Sequence, residues 1–292
     1  MERKRFPRLL AIHGGAGRWQ EKSLEKARAG IKEALEAGYS KLKRTNSALK
    51  AVLEAVRIME ENPIFNCGKG SSLTIDGKVQ MDASLMTSDG RFGAVGAIEG
   101  VKHPIDIAYK VMTETNHFLI VGEGAKKLAR FWGFPPYNPY TKKAREALFR
   151  LRKKPKLWYL PNLRRYLSLG TVGAIALDPY GRFAAANSTG GYTGKLPGRI
   201  GDTPIYGAGT WACPEGAVVG TGVGEELIRS FLCKKVGDLL RKYPAQKAIN
   251  LAIKGIRDVG VIAIDKRGNI GSAFTARAMP WGYCKEGEIK VF

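Results

Sequence analysis

The sequence of 292 residues predicts an α+β protein in which antiparallel sheets pack against layers of helices. Strand-like and helix-like segments are grouped in blocks, whereas a doubly wound parallel sheet requires regular alternation. Two pairs of apolar runs, at residues 171–177 with 182–188 and at residues 259–265 with 270–275, are separated by short turns and are typical of β-hairpins. The length allows one large domain or two small ones.

The first half of the chain is predicted to contain four helices, because apolar side chains recur there at helical spacing. These helices cover residues 22–37, 46–59, 105–114 and 122–131. Gly38 is the predicted end of the first helix. Short strands are predicted at residues 9–13, 72–75, 80–86 and 93–99, and Asp-Gly pairs mark turns between the later ones.

Residues 133–170 differ from the rest, because they combine five prolines with aromatic residues and many cations. Residues 126–170 carry 13 Lys and Arg against one acid, so this stretch supplies +12 of the net charge of +22. We interpret residues 133–170 as a long, mobile, basic linker that contains one amphipathic helix at residues 142–154. Beyond the linker, strands are predicted at residues 205–211 and 217–221, and helices at residues 225–240 and 245–256.

Composition excludes several classes of protein. Hydrophobic residues make up 44% and charged residues 25%, which is typical of a globular chain and excludes wholesale disorder. No run of 18 apolar residues occurs, and the apolar run near the N-terminus is too short for a signal peptide, so no membrane span or export is predicted. The four scattered cysteines indicate free thiols in a reducing cytoplasm rather than disulfides or a zinc site.

The first chemical signal is Thr171, which follows the basic linker and opens an apolar strand. The three histidines stand in no triad or zinc-binding spacing, and the sequence has no GxSxG or P-loop motif. A threonine at the start of a strand is usually structural. A cut before Thr171, however, would free an α-amine that titrates near ~8 and can act as general base for the residue's own hydroxyl. One residue would then supply both nucleophile and base.

Two glycine-rich segments supply candidate binding groups. Arg199 and Asp202 lie three residues apart among Gly and Pro. They form either an ion pair that fixes the loop or a pair that binds a zwitterion through its carboxylate and its ammonium group. At residues 220–224, backbone N–H groups and the Thr221 hydroxyl precede a helix and suit a developing oxyanion. A dinucleotide-binding motif is not favoured, because Glu225 stands where its third glycine is needed.

Together these segments resemble the plant-type L-asparaginase / isoaspartyl aminopeptidase family of N-terminal nucleophile (Ntn) hydrolases. The matching motifs run in order through nearly the whole chain, and only residues 133–169 have no counterpart. The motifs lie at residues 13–17, 63–70, 81–83, 93–95, 122–125, 170–173, 188–202, 207–209 and 221–225. The resemblance implies that residues 1–292 form a single domain, a four-layer αββα sandwich of two antiparallel sheets between helix layers.

The resemblance also implies a precursor that cleaves itself between Gly170 and Thr171. The products are an α chain of residues 1–170 and a β chain of residues 171–292. From the position of the excess positive charge, we expect the basic linker to be dispensable after cleavage. The implied site residues are the nucleophile Thr171, its hydrogen-bond partner Thr189, the oxyanion-hole residues Thr221 and Gly222, the substrate-binding residues Arg199, Asp202, Gly222 and Gly224, and the neighbouring Asn66.

The implied reaction is the hydrolysis of L-asparagine to L-aspartate and ammonia, or of β-aspartyl dipeptides, through an acyl-enzyme. No cofactor is required, and the implied assembly is a homodimer of αβ units. The resemblance further implies a structural sodium ion in the loop of residues 59–70. Its ligands would be the backbone carbonyls of Met59, Glu60, Phe65 and Cys67. Cys67 replaces a small residue of the family, and Val223 replaces a Thr or His, which leaves the substrate preference open.

Two other functions are compatible with parts of the sequence. A glycosylasparaginase would share the fold and the nucleophile, but it would have to admit a glycan. A nucleic-acid or anionic-surface binding protein would use the basic and aromatic residues of segment 126–170. Neither alternative is needed to explain Thr171, Arg199 and Asp202, and we expect no nucleic acid or membrane partner.

Overall fold

The computed structural model describes residues 5–153 and 170–292, and it has the predicted α+β architecture. The strands of these residues form two sheets. They are β1 (Leu9–His13), β2 (Met81–Thr87), β3 (Phe92–Ile98), β4 (Leu119–Val121), β5 (Val172–Leu177), β6 (Phe183–Thr189), β7 (Thr210–Cys213), β8 (Gly216–Gly222), β9 (Val259–Asp265), β10 (Ile270–Phe274), β11 (Trp281–Lys285) and β12 (Glu288–Val291). The larger sheet has eight strands in the order β12-β11-β1-β5-β6-β2-β3-β4, and the smaller has four in the order β10-β9-β8-β7.

Helices cover the outer faces of both sheets. They are α1 (Glu21–Thr45), α2 (Ala48–Glu61), α3 (Pro104–Glu114), α4 (Gly122–Phe131), α5 (Lys142–Arg152), α6 (Gly224–Ser230), α7 (Leu232–Leu239) and α8 (Ala245–Ala252). Helices α1, α2 and α3 pack on the larger sheet, and α7 and α8 pack on the smaller one, which completes the αββα sandwich. No helix in the described part of the chain has both the length and the apolar character that a membrane crossing needs.

The alternation of side chains along each central strand explains the layers. In β1, Leu10 and Ile12 point to the helix side, while Leu9 and Ala11 point to the interface between the sheets. All five residues of β1 are buried, because both faces of the larger sheet are covered. The strand is therefore a continuous apolar run, as the sequence indicated.

Helix α1 continues well beyond its predicted end at Gly38. It ends at Asn46, which adopts a left-handed conformation with φ of 47°. Gly38 lies inside the helix, and a Cβ there would come within 2.7 Å of the Leu10 side chain and 3.0 Å of Ala55. The glycine is thus a packing site that lets α1, α2 and β1 approach one another, not a stop signal.

Several strands differ from the sequence prediction. Residues 72–75 form only an isolated bridge at Thr74, and residues 205–209 form turns that precede β7. The short strands β4, β11 and β12 were not predicted, and β4 pairs with β3 in parallel, unlike every other strand pair of the described sheets. The helix predicted at residues 225–240 is interrupted at Phe231, whose φ is 44°, which separates α6 from α7.

The predicted amphipathic helix of the basic segment is present as α5. Thr141 caps its N-terminus by accepting a hydrogen bond from the N–H of Ala144 at 3.2 Å. Ala144 and Leu148 are buried against the body of the protein, so the described part of this segment is packed. Residues 154–169, the rest of the predicted linker, lie outside the described residues.

Candidate active site

The bond between Gly170 and Thr171 lies at the start of a central strand. Thr171 immediately precedes β5, which is held between β1 and β6, and it is 4% exposed. Gly15, in the loop after β1, packs against this bond, because a Cβ on Gly15 would lie 2.7 Å from Cα of Gly170 and 3.0 Å from N of Thr171. Only a glycine leaves room for the backbone to pass this closely.

A chain of hydrogen bonds joins the Thr171 hydroxyl to the carbonyl group that precedes it. Oγ1 of Thr171 donates to Oγ1 of Thr189 at 3.2 Å, and Oγ1 of Thr189 donates to the carbonyl oxygen of Gly170 at 3.2 Å. The backbone N–H of Gly191 donates to Oγ1 of Thr189 at 3.0 Å and fixes that hydroxyl. The sequence-predicted pair Thr171 and Thr189 is therefore brought together in the described structure.

Asn66 also reaches this carbonyl. Its Nδ2 donates to the carbonyl oxygen of Gly170 at 2.8 Å and to that of Gly191, while its Oδ1 accepts from the N–H of Ser72 at 2.8 Å. These bonds use both ends of the amide, so the orientation of Asn66 is fixed. The carbonyl of Gly170 thus has two side-chain donors, Asn66 and Thr189.

Thr221 and Gly222 lie at the end of β8, on the other side of Thr171. Oγ1 of Thr221 accepts from the N–H of Thr171 at 3.3 Å and from the N–H of Ala16 at 3.1 Å. Gly222 has φ of 120°, a conformation in which a Cβ would also clash with the carbonyl of Asp258. Thr221 thus contacts Thr171 directly, and Gly222 lines the same cleft as Thr171.

Arg199 is held from two sides. Its Nη2 and Nε lie 2.8 Å and 3.1 Å from Oε1 of Glu225, and its guanidinium carbon lies 4.5 Å from the centre of the Tyr192 ring. Of the two interpretations of Arg199 and Asp202, the loop-fixing ion pair is not found among the described ion pairs, because the partner of Arg199 is Glu225. The guanidinium is mostly buried, and Glu225 raises its pKa against the effect of burial.

Asp202 is a buried carboxyl group, and within the described residues its Oδ2 has no hydrogen-bond partner. Burial raises the pKa of Asp202 to about 7, and Arg199 opposes this rise. A Cβ on Gly224 would lie 2.9 Å from both Oδ1 of Asp202 and Nη2 of Arg199. The backbone of Gly224, which has no side chain, therefore lies beside both the carboxyl group and the guanidinium.

These residues surround one narrow cleft. Its walls are formed by Gly170, Thr171, Thr189, Gly191, Tyr192, Arg199, Gly201, Asp202, Gly222 and Gly224. The nucleophile candidate Thr171 and the charged residues Arg199 and Asp202 thus line the same cleft. Such an arrangement can hold a small zwitterion and present its far end to a hydroxyl group.

The loop after α2 contains the predicted sodium ligands. The carbonyl oxygen of Met59 accepts from Sγ of Cys67 at 3.3 Å and from the N–H of Asn62 at 3.3 Å, and that of Cys67 accepts from the N–H of Gly70 at 2.9 Å. The side chain of Glu60 is directed elsewhere, accepting from Oγ of Ser188 at 2.6 Å. In the described ranges, no three His, Cys, Asp or Glu residues are grouped in a way that could hold a metal ion.

Three neighbours of the site were not singled out in the sequence as parts of it. Gly15, Tyr192 and Glu225 lie within the family motifs at residues 13–17, 188–202 and 221–225, but the sequence assigned none of them a role in the site. Glu225 is 26 residues from Arg199, and nothing local links the two. The glycine density around residues 14–17 and 190–194 was the one signal that backbone approaches closely there.

A four-layer αββα sandwich with a buried threonine at the start of a central strand defines an Ntn hydrolase. The family model described as asparaginase matches residues 6–292. Plant-type L-asparaginases of Pyrococcus abyssi and Pyrococcus horikoshii are 43% and 44% identical over 296 residues, which cover 95% of this chain and 96% of each relative. An isoaspartyl peptidase/L-asparaginase of Danio rerio is 37% identical over 291 residues, covering 96% of this chain and 93% of the relative. The chain therefore belongs to the asparaginase family.

Proposed function

We propose that the protein is an amidohydrolase that converts L-asparagine to L-aspartate and ammonia and also hydrolyses β-aspartyl dipeptides. The names of its relatives support this class of substrate. The observation that carries the proposal is the buried oxygen of Asp202, which has no hydrogen-bond partner among the described residues and lies beside Arg199 in the cleft that Thr171 also lines. Arg199 binds the α-carboxylate of the substrate and Asp202 its α-ammonium group, and both substrates share these two groups.

The first step is self-cleavage of the precursor. Oγ1 of Thr171 attacks the carbonyl carbon of Gly170 and passes its proton to Oγ1 of Thr189, which in turn passes its own proton to the carbonyl oxygen, while Asn66 donates to that oxygen. The C–N bond then breaks as this proton returns through Thr189 to the leaving nitrogen, and an ester joins Gly170 to Oγ1 of Thr171. Water hydrolyses this ester, which leaves a carboxylate on Gly170 and a free α-amine on Thr171.

The freed Thr171 then hydrolyses the substrate. Its α-amine accepts the hydroxyl proton as Oγ1 attacks the β-carbonyl carbon of asparagine. The hydroxyl of Thr221 and the N–H of Gly222 donate to the developing oxyanion. The leaving nitrogen takes up the proton and departs as ammonia or as the amine of the second amino acid. Water then cleaves the acyl-enzyme to release L-aspartate.

The decisive experiment compares the wild-type protein with Thr171→Ala. The wild type is expected to give two chains of residues 1–170 and 171–292 on denaturing electrophoresis and to release ammonia from L-asparagine. Thr171→Ala is expected to give one chain with no activity, and Thr113→Ala, on the exposed side of α3, serves as the matched control. Cleavage and full activity in Thr171→Ala would end this proposal. A preference for N-acetylglucosaminyl-asparagine over asparagine would favour the glycosylasparaginase alternative.

We also propose a structural sodium ion in the loop of residues 59–70. Each carbonyl oxygen has two lone pairs, so the single hydrogen bond at Cys67 leaves one lone pair for a cation, whereas the carbonyl of Met59 would have to give up one of its two hydrogen bonds. The carbonyls of Glu60 and Phe65 pass close to Gly68 and Gly70, where a Cβ would clash with them. The ion would fix the loop that carries Asn66. A melting temperature that is the same in sodium chloride and in choline chloride would argue against it.

For the assembly and the location of the enzyme, we propose a homodimer of αβ units in the cytoplasm. The four free cysteines support a reducing compartment, since none of them forms a disulfide. Light scattering on the cleaved enzyme tests the assembly, and a mass of a single αβ unit would refute the dimer.

A further inference from the structure

One buried cation of the molecule has no part in the proposed reaction. Lys195 is 0% exposed, although a lysine is rarely buried completely unless a partner compensates for its lost hydration. It lies in the loop between Thr189 and Arg199, which contributes residues to the cleft. Packing alone does not explain why a charged side chain is buried next to the cleft.

Lys195 joins this loop to the segment before β2. Its Nζ donates to the carbonyl oxygen of Gln80 at 2.7 Å, and Oε1 of Gln80 accepts from the N–H of Gly198 at 2.8 Å. The carbonyl oxygen of Lys195 accepts from the N–H of Ile75 at 2.9 Å. The side chain of Lys195 therefore fixes the loop to Gln80, and its backbone carbonyl fixes the loop to Ile75.

Lys195 also packs directly against the turn at Gly191. A Cβ on Gly191 would lie 2.8 Å from Cδ of Lys195, 3.0 Å from its Nζ and 3.3 Å from Nη1 of Arg199. The ammonium and the guanidinium thus both lie against the same side of this glycine. Gly191 in turn holds Thr189 through its N–H and Asn66 through its carbonyl.

Acidic groups also lie near Lys195 and Arg199, because Glu225 pairs with Arg199 and Asp202 lines the cleft. Asp82 is buried nearby, but its two oxygens accept from the N–H groups of Ala97 at 2.8 Å and Gly201 at 3.1 Å. Burial lowers the pKa of Lys195 to about 8, Asp82 opposes this shift, and Arg199 adds to it. The lysine remains mostly protonated at neutral pH, and its ammonium and the guanidinium of Arg199 both lie beside Gly191, a residue that lines the cleft.

We propose that Lys195 is a positioning residue for the α-carboxylate of the substrate. Its ammonium holds the Gly191 turn and the Arg199 loop in place against Gln80, and its charge adds to that of Arg199 where the carboxylate binds. This inference rests on the proposed function, because it assigns Lys195 to the substrate of that same cleft.

The test uses the cleaved enzyme and two substrates. Lys195→Met keeps the length of the side chain but removes its charge, and Lys78→Met, at an exposed lysine near the same segment, is the matched control. With L-asparagine, Lys195→Met is expected to raise KM about tenfold or more and to change kcat little. With β-alaninamide, which is asparagine without its α-carboxylate, kcat/KM is expected to change much less.

The outcomes separate this inference from the proposed function. An unchanged KM for asparagine, or an equal loss of kcat/KM on both substrates, would overturn the role of Lys195 while leaving the enzyme an asparaginase. Lys195→Gln, which keeps a donor for the Gln80 carbonyl but carries no charge, serves as the second variant. If both variants fail to cleave themselves, Lys195 acts in assembling the turn and not on the carboxylate, and the inference fails. No activity of the wild type on asparagine would refute the proposed function itself.

Discussion

The side-chain amide of Asn66 donates a hydrogen bond of 2.8 Å to the carbonyl oxygen of Gly170, a residue 104 positions further along the chain. This carbonyl belongs to the bond that we propose to be cleaved. The hydrogen bond from Asn66 is present in the intact chain, before any new N-terminus exists. We therefore predict that Asn66 acts in self-cleavage, besides lying near the nucleophile.

Replacing Asn66 with Ala should slow self-cleavage by about a hundredfold or more, because one of two donors to the developing oxyanion is lost. The fraction of uncleaved chain is measured by denaturing electrophoresis over time. Asn62→Ala is the control, since Asn62 only accepts from the N–H of Ile64 in the same loop. Cleavage of Asn66→Ala at the wild-type rate would show that Thr189 alone stabilises the oxyanion.

Asp202 should make substrate binding depend on pH. Its pKa is raised to about 7, so the carboxyl group becomes protonated as the pH falls below that value and can no longer attract an ammonium group. The inhibition constant of L-aspartate should therefore rise as pH falls from about 7, approaching about tenfold per pH unit. Succinamate, which has no α-amine, should show no such rise over the same range. Parallel pH profiles for the two inhibitors would contradict the role of Asp202.

The same carboxyl group should lower the stability of the free enzyme. The folded state keeps a proton on Asp202 that the unfolded state loses from about pH 4 upward, so the penalty grows with pH and is complete above about pH 7. Asp202→Asn should therefore raise the melting temperature more at pH 8 than at pH 5. The corresponding gain in the free energy of unfolding at pH 8 should be on the order of a few kcal/mol. It should also abolish activity. A melting temperature gain that is equal at both pH values would show that ionisation is not the cause.

The sequence predicted the fold class and most of the central elements, because these depend on local patterns. The boundaries of β1 and α4 were predicted correctly, since an apolar run and a helical repeat are each complete within one segment. The interior glycine of α1 was misread as a stop, because only the packing of α2 and β1 against Gly38 shows why a glycine is needed there. The strands β11 and β12 were missed, since they are only five and four residues long and β12 lies at the border of the larger sheet.

For the candidate site, the sequence supplied residues but not their partners. Thr171, Thr189, Arg199 and Asp202 were all found through motifs, and the structure brings them to one cleft. The contacts of Arg199 with Glu225 and of Lys195 with Gln80 join segments that are distant in the chain. No local pattern encodes such contacts, because they arise only when the two sheets and their loops are assembled.

Helix α5 should affect substrate binding, contrary to the expectation that the basic segment is dispensable. Leu151 packs where a Cβ on Gly194 would clash with it, and Arg152 donates to the carbonyl oxygen of Ile75. The N–H of Ile75 in turn donates to the carbonyl oxygen of Lys195, so the helix rests on the loop that leads to Arg199.

Leu151→Ala should raise KM for L-asparagine about threefold or more, because small displacements of binding groups weaken their contacts. Self-cleavage should remain complete, as seen on denaturing electrophoresis. Phe149→Ala, at a residue that is 59% exposed on the same helix, is the control and should leave KM unchanged. If Leu151→Ala has the KM of the wild type, α5 contributes nothing to the substrate loop.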